Sequence, residues 1–340
     1  APLGISYFTF MALGYVIDIY RGKLEPTGSL LEYALFVGFF PVISSGPIIR
    51  ARDFFSQFVA RLKINSEDMQ HGLALISTGL IMKLVIADNL ANYVDPRFAS
   101  ITDFGSRTII LATLAFGVQL YCDFGGYSNI ALGSARLLGF KFPMNFNNPY
   151  FAMSPTDFWH RWNISLSTWL RDYLYIPLGG NRKGPLKTHL NLIITMVACG
   201  LWHGASWNFL IWGAYHGGLL SLNRLIRLPE NRLLSFAGML LTQYLVFFGW
   251  LIFKVNDPSK LAYCMSKFLM PTGLSYSEIG LGILAASALI LVSGRVANND
   301  WISRLGTVRP AYWFVYLVMA IMLIYWGSPV KMTKFIYAGF

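Results

Sequence analysis

Among five histidines, His203 has the surroundings best suited to moving a proton. It stands in Gly200-Leu201-Trp202-His203-Gly204-Ala205-Ser206-Trp207-Asn208, between the apolar runs Leu190–Trp202 and Trp207–Leu220. A neutral imidazole, with an ordinary pKa of roughly 6.5, accepts a proton at physiological pH and so suits general-base catalysis. Gly204 marks a break in the backbone, and the flanking tryptophans are expected to wall off water. The plainer alternative is a buried structural histidine. For His216, inside the second run, the plainer reading is a packed core histidine, with a part in the site as the alternative. His160 and Asn163 stand at i, i+3, a spacing that lets both face one way on a helix. His71 and His189 head apolar segments, where an interfacial polar residue needs no special role.

Several chemistries are disfavoured. A metal site needs three or four convergent ligands. His203 and His216 are 13 positions apart with no carboxylate companion, so no metal is expected. No nucleophile elbow, phosphate-cradling loop or dinucleotide glycine pattern is present. These absences leave an enzyme without a nucleotide-binding fold, or no enzyme.

The elements that carry these residues are membrane segments. Of 340 residues, 55% are hydrophobic, 16% aromatic and only 13% charged, against roughly 25% charged in an average soluble domain. Leu233–Phe253 runs 21 residues without a charge, and Ala311–Trp326, Ile279–Gly294 and Tyr33–Ile49 follow it closely. Such runs indicate spanning or re-entrant helices. The candidate segments are 3–20, 31–49, 71–93, 108–122, 189–202, 207–222, 233–253, 279–294 and 311–327, with a bend expected in the second at Pro41 and Ser44-Ser45-Gly46-Pro47. The fold class is all-α: one polytopic membrane domain over residues 1–340, with re-entrant or interfacial helices. The two runs around His203 are each about 20 Å long if helical, against a bilayer core of about 30 Å. They read as one interrupted span with His203 inside the membrane thickness, where irregular backbone survives only if buried in protein or lining a cavity. An ionisable group at that depth is costly and marks a functional site.

The net charge of +11 does not indicate nucleic acid. The basic residues sit in short connections, as the positive-inside rule expects: Arg50, Arg52, Arg61 and Lys63; Arg182, Lys183 and Lys187; Arg224, Arg227 and Arg232. These three loops are assigned to the cytoplasmic side. Cys122, Cys199 and Cys264 lie in or beside apolar stretches and read as free thiols. The chain opens on Ala1-Pro2-Leu3-Gly4 without an initiator Met, so the numbering is expected to start inside a longer protein.

Within the polar-leaning stretch 123–188, Ser154-Pro155-Thr156-Asp157 is a strong helix start, with a capping Ser, a Pro at the first position and an early acid. The helix is expected to run to about Tyr175 and stop at Pro177. Trp159, Trp162 and Trp169 beside Arg161, Arg171 and Asp172 give it an interfacial or re-entrant character, with tryptophans at headgroup level. Gly200-Leu-Trp-His-Gly204 and Gly213-Ala-Tyr-His-Gly217 form a short internal echo, whose glycines are read as tight helix packing.

The run from Asp157-Phe158-Trp159-His160-Arg161-Trp162-Asn163 through Trp169-Leu170-Arg171-Asp172-Tyr173, then Ile176-Pro177-Leu178-Gly179-Gly180-Asn181-Arg182 and Gly200-Leu201-Trp202-His203-Gly204, resembles the membrane-bound O-acyltransferase family. The likeness is to its bacterial branch, which includes alginate and peptidoglycan O-acetylation proteins. Val16-Ile17-Asp18-Ile19-Tyr20-Arg21-Gly22, Gly46-Pro47-Ile48, Cys122-Asp123-Phe124-Gly125-Gly126-Tyr127-Ser128 and the ending Phe335-Ile336-Tyr337 agree with it. The resemblance implies helices around a central tunnel with a histidine at its middle, matched by His203. The family's second polar position falls on Asn163, where many bacterial members carry His; an amide there does not titrate and acts only through hydrogen bonds. Trp159, Arg161, Trp162, Arg171, Asp172, Trp202 and His216 complete the expected substrate-contacting set.

The function so implied is acyl transfer, acetyl by expectation, in a bacterial inner membrane. The donor is a cytoplasmic thioester such as acetyl-CoA, with no tightly bound cofactor. The acceptor is an envelope polysaccharide hydroxyl, reached directly or through a periplasmic acyltransferase partner. D-alanyl transfer to another envelope polymer, a transporter or flippase on a broken-helix scaffold, and a non-catalytic scaffold are the alternatives.

Overall fold

The computed structural model describes residues 4–59, 64–226, 232–273 and 310–329, and among them every regular element is helical. The expected segment 279–294 and the ending Phe335-Ile336-Tyr337 lie outside the described residues. In chain order the helices are α1 (Ile5–Tyr20), α2 (Leu30–Val37), α3 (Ala51–Val59), α4 (Ser66–Leu80), α5 (Asp88–Ala99), α6 (Ser106–Leu137), α7 (Pro155–Arg161), α8 (Ile164–Leu170), α9 (Pro185–His203), α10 (Trp207–Leu225), α11 (Arg232–Lys254), α12 (Pro258–Leu269) and α13 (Pro310–Gly327).

A buried pair of long helices forms the scaffold. The wide π-helical stretch Ile81–Ala87 joins α4 to α5 without a stop, giving one rod over Ser66–Ala99 that lies along α6. The rod and α6 are antiparallel and close: a side chain on Gly79 would strike the Gly126 carbonyl, and one on Gly133 the Gly72 carbonyl. Small residues at such crossings let backbones touch. Within the π stretch, Lys83 reaches the buried carboxylates of Asp88 at 2.8 Å and Asp123 at 2.7 Å, which ties the rod to α6 through charge as well as packing. On the rod's other side, α13 is fixed by Tyr316, whose hydroxyl shares a 2.8 Å hydrogen bond with Ser77, and by the Gly327 carbonyl, which accepts from Asn89 at 2.7 Å.

Ser66–Ala99, Ser106–Leu137 and Leu234–Lys254 are long and apolar enough to cross a membrane, and Ile5–Tyr20 and Trp313–Gly327 are shorter apolar helices. Large apolar side chains, among them Leu30, Leu31, Phe314, Met319, Ile321 and Trp326, cover the outside. That surface is stable against lipid rather than water.

Three expectations change here, and one, the bend in 31–49, holds. The segment expected at 108–122 is one helix to Leu137, because Asp123 and Ser128 find buried partners and need not leave the apolar environment. The 31–49 segment does bend: helix ends at Val37, before Gly38 and the turns that follow. The helix expected over 154–175 is two short helices broken at Trp162-Asn163, followed by a π turn at Arg171–Tyr175. Its tryptophans are core residues rather than headgroup anchors: Trp159, Trp162 and Trp169 are all buried.

The largest change concerns the two runs around His203, which do not form one interrupted span. Helices α9 and α10 each hold 19 residues, about 28 Å, and lie side by side as an antiparallel hairpin. Gly200 abuts the Phe209 carbonyl, Gly213 the Met196 carbonyl and Gly217 the Ile193 backbone. The turn that α9 gains ahead of the run is closed by Thr188, whose hydroxyl donates to the Gly184 carbonyl at 2.9 Å, and Asn191 within the run donates to the Gly180 carbonyl at 3.0 Å. The echoed glycines are therefore packing contacts, as read from their spacing.

Candidate active site

The break between α7 and α8 is built locally. Ser154 accepts the Asp157 N–H at 3.1 Å, and Asp157 accepts from the Met153 N–H at 3.0 Å and from Arg161 Nε at 2.7 Å, so the first turn is capped and charge-matched. The helix ends as Trp162 turns extended (φ −101°, ψ 126°) and Asn163 takes the left-handed conformation (φ 42°, ψ 57°). The irregular segment 145–148 straps this kink. Asn147 N–H bonds to the Arg161 carbonyl and Ile164 N–H to the Asn145 carbonyl, both at 2.9 Å, so the strap holds both sides of the break. Phe146 anchors it among the rings of Trp162 (5.0 Å), Phe124 (5.1 Å) and Tyr121 (5.7 Å).

His203 is the last residue of α9, at the tip of the hairpin, and is buried. Its ring lies 4.6 Å from Trp202, 5.1 Å from Phe253, 5.3 Å from Trp212 and 6.2 Å from Phe209. Seclusion here comes from rings on α9, α10 and α11, not from interruption of a span. The expected second wall, Trp207, points outward at 70% exposure, and Trp212 takes its place. Asn208 Nδ2 donates to the Phe253 carbonyl and to Asn256 Oδ1, both at 2.9 Å, clamping the hairpin tip to the end of α11.

A continuous path of rings connects the two polar positions. Trp212 stacks on Trp250 at 6.2 Å, and Trp250 meets Trp162 at 4.8 Å, one residue before Asn163. Along it, the indole N–H groups of Trp159, Trp202 and Trp212 and Nε2 of His216 are buried without a hydrogen-bond partner among the described residues. Buried polar groups are nearly always satisfied in native proteins. A cluster of them around one histidine is what a polar substrate's surroundings require.

At the other end of α1 lies a cavity of about 240 Å³, walled by Ile164, Ser165 and Thr168 of α8 and by Arg50, Arg52 and Arg171, with Asp53 and Asp172 beside them. Asp172 pairs with Arg50 at 3.1 Å and Arg171 at 2.8 Å. The Arg50 guanidinium lies 4.6 Å over the Tyr173 ring, and the Tyr173 hydroxyl donates to Asp18 at 2.7 Å. Burial, together with the Asp18 carboxylate, pushes that phenol up to about 12, so it remains a donor at physiological pH. Helix α1 contacts residues beside both the histidine and the cavity. Phe10 touches Trp202 at 5.6 Å, and Arg21 donates to the Asp172 carbonyl at 3.2 Å. Eleven helical residues separate those contacts, about 16 Å.

The structure thus brings Trp159, Trp162, Trp202, His203 and His216 into one aromatic neighbourhood, with Asn163 at its edge and Arg171 and Asp172 at the cavity. Arg161 is not part of it: its side chain is spent on Asp157 and the Asn147 carbonyl. His160 is exposed while Asn163 is buried, so the i, i+3 pairing fails across the break. The sequence reading missed Trp250, Phe253 and Asn145. The first two are ordinary apolar positions of α11; the run Asn145-Phe146-Asn147-Asn148-Pro149, rich in turn formers, was the available signal for the third. Cys122, Cys199 and Cys264 are free and buried.

The profile described as MBOAT, membrane-bound O-acyltransferase family, matches residues 23–256. The chain is 44% identical over 257 residues to the probable alginate O-acetylase of Azotobacter vinelandii, covering 75% of this chain and 51% of that one. It is 39% identical over 249 residues to the peptidoglycan O-acetyltransferase of Helicobacter pylori, covering 66% and 47%. To the teichoic acid D-alanyltransferase of Bacillus subtilis it is 31% identical over 269 residues, covering 74% and 68%. It spans about half the length of the first two relatives. On these matches, the chain belongs to the membrane-bound O-acyltransferase family.

Proposed function

We propose that this protein is an O-acyltransferase that moves an acetyl group from a thioester donor such as acetyl-CoA to a hydroxyl of an envelope polysaccharide, directly or through a periplasmic acyltransferase partner, in the bacterial inner membrane. The observation that carries this reading is the secluded His203 amid buried donors without protein partners, joined by rings to Asn163. His203 takes the proton of the acceptor hydroxyl as its oxygen attacks the thioester carbonyl. The new C–O bond forms, the C–S bond breaks, and the thiolate leaves with the proton that His203 returns. Asn163 holds one reactant by hydrogen bonds.

The arginine-lined cavity suits the donor's charged end, since guanidinium groups match phosphate geometry. A slender arm then carries the acyl group from there toward His203. Acetyl is preferred over D-alanyl on relatedness: identity is 44% and 39% to the acetyl-transferring relatives and 31% to the D-alanyltransferase.

The test is transfer of labelled acetyl from acetyl-CoA in membrane vesicles supplied with polysaccharide or partner. His203→Ala should abolish transfer, Asn163→Ala should lower it at least tenfold, and His216→Ala should leave most of it. Wild-type transfer by a stably inserted His203→Ala protein sinks the base assignment, and a larger loss in His216→Ala moves that role to His216.

A further inference from the structure

Asn145 sits 1% exposed beneath the break and makes three bonds to it and a fourth to α6. Its carbonyl accepts from Ile164 N–H at 2.9 Å and its side-chain Oδ1 from Ser165 N–H at 3.0 Å. Its Nδ2 donates to Asn163 Oδ1 at 3.2 Å and to Ser128 Oγ on α6 at 3.3 Å. The direction of this network is not arbitrary. A backbone N–H only donates, so the Ser165 contact requires the oxygen of the Asn145 amide on that side. The nitrogen must then face Asn163, which requires the oxygen of the Asn163 amide to face back. The Asn163 N–H2 is turned away from the strap and has no acceptor among the described residues.

An asparagine in water presents oxygen or nitrogen equally well. Here, one backbone hydrogen two residues along the chain removes the choice. Resting on the acyl-transfer reading above, we propose that Asn145 is a positioning residue that locks Asn163 as a hydrogen-bond donor. Its N–H2 is aimed at the carbonyl oxygen of the acyl group, where negative charge develops as the acceptor attacks. A donor placed in advance at such an oxygen is among the larger contributions to acyl transfer, with loss of one costing about 10²–10³ in rate. The same geometry denies Asn163 the part of a base or of an acceptor for the sugar hydroxyl.

The experiment uses the protein in lipid vesicles with acetyl-CoA carrying a ¹³C-labelled acetyl carbonyl, in the His203→Ala background so that donor is not consumed. Isotope-edited infrared spectroscopy reads the stretch of the bound thioester carbonyl, which falls when the oxygen accepts a hydrogen bond. The band should lie lower in His203→Ala than in His203→Ala/Asn145→Ala, and the latter should match His203→Ala/Asn163→Ala. Asn145→Asp keeps an oxygen for Ser165 but cannot donate to Asn163, and it carries the same expectation if the alanine variant does not fold. Asn163→Asp leaves the strap intact and should lose the shift as well.

In turnover with His203 present, Asn145→Ala should lower kcat at least tenfold while the donor KM stays within about twofold. The double variant Asn145→Ala/Asn163→Ala should be no slower than Asn163→Ala alone. An unchanged band on removing Asn145, or losses that multiply in the double variant, overturns the proposal and leaves the acyl-transfer reading standing. A His203→Ala protein that transfers at the wild-type rate instead removes the base from that reading, and the band comparison still decides the role of Asn145. Absence of any bound-donor band overturns both.

Discussion

Position 163 answers to two demands at once. In the proposed reaction its side chain must reach the neighbourhood of the reacting groups, and its backbone must sit at φ 42° where α7 ends and α8 begins. Few residue types tolerate that conformation: Gly does so freely, and Asn, Asp and His are enriched among the rest. The backbone therefore restricts the side chains available before chemistry selects among them. Asn163→Asp and Asn163→His should fold with thermal unfolding close to wild type, whereas Asn163→Val should lose about 1–2 kcal/mol to backbone strain, read as a lowered midpoint in detergent. His203 was identifiable from its neighbours in sequence because Trp202 and Gly204 are adjacent to it. The break at Asn163 was not, because it is held by Asn145 and Asn147, residues 16–18 positions upstream that bond to both of its sides.

At the scale of helices, the apolar runs announced an all-α membrane fold, and the Ser154 cap and the packing glycines were read correctly from local chemistry. Lengths were misjudged wherever polar side chains are satisfied inside the protein. Thr188 lets α9 start ahead of its apolar run by donating to the Gly184 carbonyl, and Asp123 lets α6 continue because Lys83 meets it. A composition count cannot anticipate a partner contributed by another helix. The Lys83–Asp88–Asp123 cluster makes this dependence measurable. Lys83→Met removes the ammonium that two buried carboxylates share and should cost about 3–5 kcal/mol, seen as a marked fall in thermal stability. Lys83→Met/Asp88→Asn/Asp123→Asn, with no buried charge left in the cluster, should recover most of that loss.

Over the whole molecule, α1 sets a distance. Phe10 lies against Trp202, beside His203, and Arg21 at the helix C-terminus reaches the Asp172 carbonyl at the arginine-lined cavity; the two α1 positions are about 16 Å apart along the helix. In the proposed reaction that helix works as a ruler. A thioester whose arm matches the span delivers its carbonyl to the histidine while its phosphates remain among the arginines. One with a shorter arm docks its charge and stops short. Truncated-arm acetyl thioesters that retain the phosphates should therefore compete with acetyl-CoA in vesicle assays and transfer nothing; transfer from them at the acetyl-CoA rate would show that the cavity does not anchor the donor. Selectivity of this kind needs no contact with the acyl group, since the donor is chosen by length.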